Sequence, residues 1–384
     1  MRSKANSIIE SIEISKIRQI ALKMNKYSDG INLTIGEPSQ DVPDLVKEEM
    51  ANRVLHDKIG YTQTGGMPEL KRAIVAFYNQ YFGGDYKEEN CLITVGSTEG
   101  LSTFIRSIID EGDEVIMPTP TYPGYAPNIK LQKGIEVYLD TSKDDFKLTA
   151  KNLESAITPK TRAIILTYPN NPSGVCIDED EMDKIADVIR RHDVFVLSDE
   201  IYASLAFEKY HSLAKYHDLI DKVVVINGFS KSHSMTGYRV GYMLASKYFI
   251  DNFIKVSQYT TTGIATISQY GGIKALEVYP TREEIVKENR ERMEFFAKGL
   301  EKIGFRVIKP EGAFYLFADY RKLSNKKSID FVNEVVENLH IGIVPGECFM
   351  VEGYVRFSVT KDIPELQKAL DRMEKYFKWV SIYC

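Results

Sequence analysis

Between residues 43 and 280 the apolar positions follow two spacings in turn: short β-branched runs, and longer stretches with apolar residues three and four apart. The helical spacing occupies residues 43–55 and the stretch from Pro68 through Leu70, Ile74 and Phe77, each opened by a proline that suits a first helical turn. Strands are predicted at 91–95, 114–117, 136–139, 162–167, 194–197 and 223–226, with helical runs between several of them. Repeated βαβ units predict an α/β fold with a mostly parallel sheet, whose ligands gather beyond the carboxyl ends of the strands. Ahead of it, residues 6–24 form an amphipathic segment and residues 31–36 a strand stopped by Gly36. Past Pro280 the pattern changes to a long charged helix (282–301), strands at 305–309, 341–344 and 355–359, a helix at 331–339 and a final helix. The division predicted is a segment (1–42) packing with the small domain, a large domain (43–280) and a smaller α+β domain (281–384).

Composition acts by exclusion. The 384 residues carry 49 Lys+Arg against 54 Asp+Glu, a net charge of −5, so nothing draws the whole molecule to nucleic acid or an anionic membrane. No stretch reads as a signal peptide or a membrane span, and the four cysteines (Cys91, Cys176, Cys348, Cys384) have neither metal nor redox spacing. A cytoplasmic protein without a metal is expected.

The unusual residues sit just past predicted strand ends. Lys231 follows the run Val223 to Ile226 and the turn Asn227-Gly228, with Ser230 before it and Arg239 eight residues on. A lone lysine there is ordinarily a solvated turn residue. With an arginine and a serine in reach of a phosphate, it can hold an aldehyde cofactor covalently. Gly96-Ser-Thr-Glu-Gly100 joins a strand to a helix and offers free amides and hydroxyls to a phosphate, although many strand-to-helix turns look alike. Asp199 can pair with a protonated ring nitrogen, Asn171 and Tyr202 can donate to a ring oxygen, and Tyr122 can stack on a ring face. Gly36 permits close backbone approach to a ligand, or is simply a turn glycine.

Together these motifs resemble the class I/II, fold-type-I aminotransferases that depend on pyridoxal 5′-phosphate. The matching phrases are Tyr61-Thr with Gly65-Gly66 and Leu70, Gly96-Ser-Thr, Pro120-Thr-Tyr122, Asn171-Pro-Ser-Gly174, Ser198-Asp-Glu-Ile-Tyr202, Ser230-Lys231 through Arg239, and Gly353-Tyr-Val-Arg356. The resemblance implies a seven-stranded, mostly parallel sheet between helices, with a smaller domain beside it. It implies that Lys231 carries the cofactor and then moves the proton between substrate Cα and cofactor C4′. Asp199 would hold the ring nitrogen, Asn171 and Tyr202 the ring oxygen, and Tyr122 the ring face. Ser97, Thr98, Ser230 and Arg239 would bind the phosphate. Tyr61 would reach the phosphate of a neighbouring subunit, implying a homodimer with shared sites. Arg356 would grip the substrate α-carboxylate as a fork that lysine cannot copy, with the Gly36 amide beside it.

Further phrases, among them Ile12-Glu-Ile-Ser with Ile17-Arg18, Tyr122-Pro-Gly-Tyr125 and Phe146-Lys-Leu-Thr-Ala150, resemble the Firmicute N-acetyl-L,L-diaminopimelate aminotransferases. That implies glutamate as amino donor, an N-acetylated 2-oxo acid as acceptor, and a place in lysine biosynthesis. Glu99 and Gly100 depart from the small or amide residues expected in the phosphate turn. The loop 346–353, just ahead of Arg356, is short and lacks the expected Phe-Gly step. Aspartate or aromatic aminotransfer, and carbon–sulfur β-elimination, remain alternatives on the same fold; a non-catalytic cofactor-binding regulator is disfavoured by retention of Lys231 and Arg356. His233 and the run Phe314, Tyr315, Phe317 read first as packing residues. For a substrate's distal charge, Lys16, Arg18 and a residue from a neighbouring subunit stand level.

Overall fold

The computed structural model describes residues 5–383, with side chains through Lys378; Met1 to Lys4 and Cys384 lie outside the described residues. In chain order the strands are β1 (Ile31–Asn32), β2 (Cys91–Val95), β3 (Glu114–Thr119), β4 (Ile135–Asp140), β5 (Thr161–Thr167), β6 (Phe195–Asp199) and β7 (Val223–Gly228). They continue with β8 (Val240–Leu244), β9 (Arg306–Val307), β10 (Tyr315–Asp319), β11 (Ile341–Gly342), β12 (Val344–Pro345) and β13 (Tyr354–Ser358). A seven-stranded sheet has the order β2-β8-β7-β6-β5-β3-β4. Only β8 pairs antiparallel with its neighbours β2 and β7; the other pairings are parallel.

Both faces of this sheet are covered, which is why its central strands read as unbroken apolar runs. Along β7, Val223 and Val225 join one hydrophobic cluster while Val224 and Ile226 join another on the opposite face. A third cluster gathers Ile20, Met24, Ile31 and Leu33 with residues from 285 onward, and β1 pairs in parallel with β11. The second sheet has the order β12-β13-β10-β9.

Three details differ from the periodicity. The strand expected at 31–36 is regular only over Ile31–Asn32, and the one expected at 341–344 divides into β11 and β12. The stretch around Gly241, to which the periodicity assigns no element, is strand β8. A Cβ on Gly241 would lie 2.4 Å from the carbonyl carbon of Gly96, so its glycine serves a close strand crossing rather than a turn. Helices Lys247–Thr260 and Thr266–Val278 also follow β8, where the spacing predicts no element. Among the described residues no helix is long and apolar enough to cross a membrane.

Candidate active site

Parallel strands bring their carboxyl ends to one edge, and β8, running the other way, brings its amino end to that same edge. Ser97 therefore follows β2, Tyr122 and Tyr125 follow β3, Asn171 follows β5, Asp199 ends β6, and Lys231 lies in the short helix Phe229–Ser232 after β7. Arg239 immediately precedes β8. With Arg356 of β13 they surround a cavity of about 1130 Å³.

Lys231 reaches into this space and its Nζ donates to the Gly36 carbonyl at 2.6 Å. Burial disfavours the ammonium and brings its pKa down to about 8, with Arg239 and Arg356 acting in the same sense and Glu37 opposing. Asp199 is also buried. Its Oδ2 accepts from Tyr125 Oη at 2.7 Å and its Oδ1 from the Ile201 amide at 3.3 Å, yet desolvation pushes the carboxyl up to about 6. Such a carboxylate gains from a cationic partner, which a protonated ring nitrogen supplies.

On the opposite wall Arg356 is buried under the small sheet. Its Nη1 donates to Asn171 Oδ1 at 3.0 Å, its Nη2 donates to the Thr34 carbonyl, and its Nε, also buried, has no hydrogen-bond partner among the described residues. The Tyr315 ring lies 4.6 Å and the Phe349 ring 5.2 Å from the guanidinium carbon. Tyr315 Oη meets Tyr202 Oη at 2.7 Å, and burial holds both phenols above their ordinary pKa, as donors.

The turn after β2 is a cradle. Gly96 has φ +68°, and a Cβ there would sit 2.4 Å from Arg239 Nη2, so only glycine lets the guanidinium close over the turn. Ser97 and Thr98 open helix Gly96–Ile108 beside it, and Ser230 lines the same cavity. Arg239 Nη1 is aimed by its bond to the Thr236 carbonyl, 2.9 Å. Amides, hydroxyls and a guanidinium at one helix start fit a phosphate. The buried acid, the depressed lysine and the cradle are separate groups that pyridoxal phosphate unites, so the residues present fit that cofactor.

The two departures in this turn have structural explanations. Glu99 turns away from the cavity, accepting from Thr261 Oγ1 at 2.6 Å and Ser257 Oγ at 3.1 Å, which braces helix Lys247–Thr260. Gly100 faces Ile226 and Met243, where a Cβ would meet atoms at 3.2 Å.

Of the predicted site residues, Tyr61 alone is not brought to the cavity; it is 95% exposed. Gly36 lines the cavity, but the contact present is through its carbonyl rather than its amide. Tyr125, Thr167 and Tyr315 are wall residues to which the motif reading assigns no part. His233 is buried, with Nε2 2.7 Å from the Tyr279 carbonyl and Nδ1 2.8 Å from Ser232 Oγ. At the mouth both Lys16 and Arg18 line the cavity, and Lys16 is paired with Glu347 at 2.9 Å.

Comparison with known proteins agrees with this geometry. A family profile described as aminotransferase class I and II matches residues 28–373. A probable N-acetyl-LL-diaminopimelate aminotransferase of Bacillus subtilis (strain 168) is 37% identical, over 98% of this chain and 96% of its own. An aspartate aminotransferase of Thermotoga maritima is 33% identical, over 96% and 98% respectively. The solved structure of the Thermus thermophilus aspartate aminotransferase with maleate superimposes with a TM-score of 0.92 at 28% identity, covering 98% of this chain and all of that one.

Proposed function

The chain belongs to the class I and II aminotransferases, enzymes of pyridoxal phosphate, and within that family we propose that it moves an amino group between glutamate and an N-acetylated diaminopimelate skeleton. The observation that carries the reading is the convergence of Lys231, Asp199 and Arg356 on one cavity. When bound, the cofactor supplies an aldehyde that takes up the amino group and an electron-poor ring that spreads the charge left on Cα.

The chain's residues do the rest. Arg356 binds the substrate α-carboxylate with a guanidinium that Asn171 Oδ1 and the Thr34 carbonyl hold in place. Lys231, with a pKa brought down to about 8, is poised to give and take the proton at Cα near neutral pH. Asp199 keeps the ring nitrogen protonated, Asn171 and Tyr202 hold the ring oxygen, and Tyr122 covers one face. Ser97, Thr98, Ser230 and Arg239 fix the phosphate. The full exposure of Tyr61 supports a role at the site of a second subunit in a homodimer. Among the described residues Cys91, Cys176 and Cys348 are free thiols, which supports a cytoplasmic enzyme, and the Bacillus relative supports a place in lysine biosynthesis. The interdomain arrangement proposed remains 1–42 with 281–384 against 43–280.

The diaminopimelate skeleton carries a second carboxylate far from the reacting amine, and the cations Lys16 and Arg18 at the mouth support such a substrate. The same cations, with the Thermotoga and Thermus relatives, favour aspartate as the second reading. A half-reaction panel separates them: glutamate, aspartate, N-acetyl-diaminopimelate, an aromatic amino acid and cystathionine are added singly to the loaded enzyme while the cofactor spectrum and keto acids are followed. Conversion of the cofactor to its amine form by glutamate and N-acetyl-diaminopimelate is expected. Response to aspartate but not N-acetyl-diaminopimelate selects the second reading, and pyruvate with ammonia from cystathionine overturns both.

A further inference from the structure

The parallel ladder between β6 and β7 ends at the pair Asp199 and Ile226, where the cavity begins. Beyond that pair one backbone bond remains, from the Glu200 amide to the Ile226 carbonyl at 2.9 Å. Asp199 and Lys231 must nevertheless keep a fixed separation, because both address the same cofactor.

Side chains take over where the ladder stops. Successive residues of an extended chain point to opposite sides, so Glu200 turns away from the cavity into the core, where it is 0% exposed. Its carboxylate accepts from Ser198 Oγ at 2.9 Å, from Ser212 Oγ at 2.8 Å to both oxygens, and from Tyr78 Oη at 3.2 Å. Tyr78, buried on helix Pro68–Tyr81, accepts in turn from Asn227 Nδ2 at 2.7 Å. Asn227 Oδ1 accepts from the Gly228 amide at 2.6 Å, at the step from β7 into the helix that carries Lys231. An unbroken line of buried hydrogen bonds thus runs from the residue beside Asp199 to the root of the lysine-bearing helix.

We infer that Glu200, Tyr78 and Asn227 are positioning residues that set Asp199 and Lys231 relative to one another. None of the three lines the cavity. A buried carboxylate is costly unless its acceptors are filled, and filled networks hold one geometry stiffly. Misplacement of reacting groups by about 1 Å costs on the order of 10²-fold in rate, so even a partial slackening is measurable. The inference rests on the roles proposed for Asp199 and Lys231.

Tyr78→Phe removes one hydroxyl and keeps the ring, whose neighbours Phe82 and Tyr242 have centroids at 4.8 and 5.8 Å. Glu200→Gln keeps volume and one acceptor, and serves if the first variant folds poorly. For each variant four quantities are compared with wild type: pyridoxal phosphate affinity, the pH midpoint of the bound cofactor's absorption band, kcat against KM, and Tm of the cofactor-free protein. The expected result is a cofactor Kd raised about 10-fold, a band midpoint moved by about half a pH unit or more, and kcat lowered about 10-fold with KM within about twofold. The double variant should lose less than the product of the singles, as members of one network do. Wild-type affinity, midpoint and kcat, with Tm alone lowered, overturns the inference and leaves the network a packing device. Affinity and midpoint are read without turnover, so they decide this point even if every amino donor in the panel fails; full activity of Lys231→Ala would instead overturn the reading beneath it.

Discussion

At the floor of the cavity Asp199 and Arg356 are buried and held by hydrogen bonds, whereas at its mouth Arg18 is exposed and Lys16 is paired with Glu347, the side chains of that pair 46% and 24% exposed. The floor keeps its charges out of water, where Coulombic effects are strong and shift pKa values. An ion pair as open as that at the mouth is worth about 0–1 kcal/mol and is easily exchanged for another partner. In the function proposed, the floor serves chemistry that does not depend on the substrate's side chain, and the mouth a choice among side chains. Substitutions at the floor should therefore affect every substrate alike, and substitutions at the mouth only some.

The hardest blow to the floor is Lys231→Ala. Turnover should fall by at least about 10³-fold for every donor, since the group proposed to move the proton is gone. Some cofactor should stay bound through the cradle at Gly96 to Thr98 and Arg239, visible as an absorption band that survives gel filtration. Wild-type turnover by this variant would remove the floor's central residue from the chemistry.

Asp199→Asn tests the floor with two effects of opposite sign. In the cofactor-free protein the Asp199 pKa is raised by burial to about 6, above its ordinary 3.8. The folded state thus binds a proton more readily than the unfolded one, so this group costs stability as pH rises through 4 to 6, and the whole cost is present above about 6. Replacing it with a neutral amide should raise the Tm of cofactor-free protein at pH 7.5 by about 1–3 °C, and the gain should vanish below about pH 4. The loaded enzyme should instead lose about 10²-fold in kcat for all donors, as the ring nitrogen loses its counter-charge. A lower Tm at pH 7.5 would show that the carboxylate is not under strain.

How much could be read from the residues alone follows the same floor-and-mouth division. Lys231, Asp199 and Asn171 stand out because charged and amide groups beyond apolar runs have few structural uses, and the runs themselves announce a sheet covered on both faces. Tyr125 stands beyond a predicted strand end, yet neither its part nor that of Tyr315 is legible there, because these depend on partners 74 and 113 residues away, Asp199 and Tyr202. Tyr315 also lies in an aromatic run that packs as core, and it does pack, 2% exposed, while lining the cavity. Strand β8 was hidden by its glycine, since a crossing too close for a Cβ looks in sequence like a turn. At the mouth, Lys16 and Arg18 are indistinguishable two residues apart; the pairing with Glu347 that separates them spans 331 positions.

That separation yields the smallest and most selective effect. Glu347 already engages Lys16, whereas the Arg18 guanidinium has no ion pair among the described residues, and its charge is felt at the phenol of Tyr122 on the cavity wall. Of these two, Arg18 is the one left free for the distal carboxylate of the substrates proposed. Arg18→Gln should lower kcat/KM for glutamate about fivefold, close to 1 kcal/mol, and leave alanine and phenylalanine within about twofold. Lys16→Gln should cost glutamate no more than about threefold, since the charge it removes is largely answered by Glu347. Both effects should shrink as ionic strength rises, because the groups stand in water. The readout is the ratio of glutamate to alanine kcat/KM for wild type and the two variants at low and high salt. An equal loss on both donors would make Arg18 a support for helix Lys16–Met24 rather than a reader of substrate. A larger loss in Lys16→Gln would mean that the ion pair opens when substrate arrives and that Lys16, not Arg18, takes the distal charge.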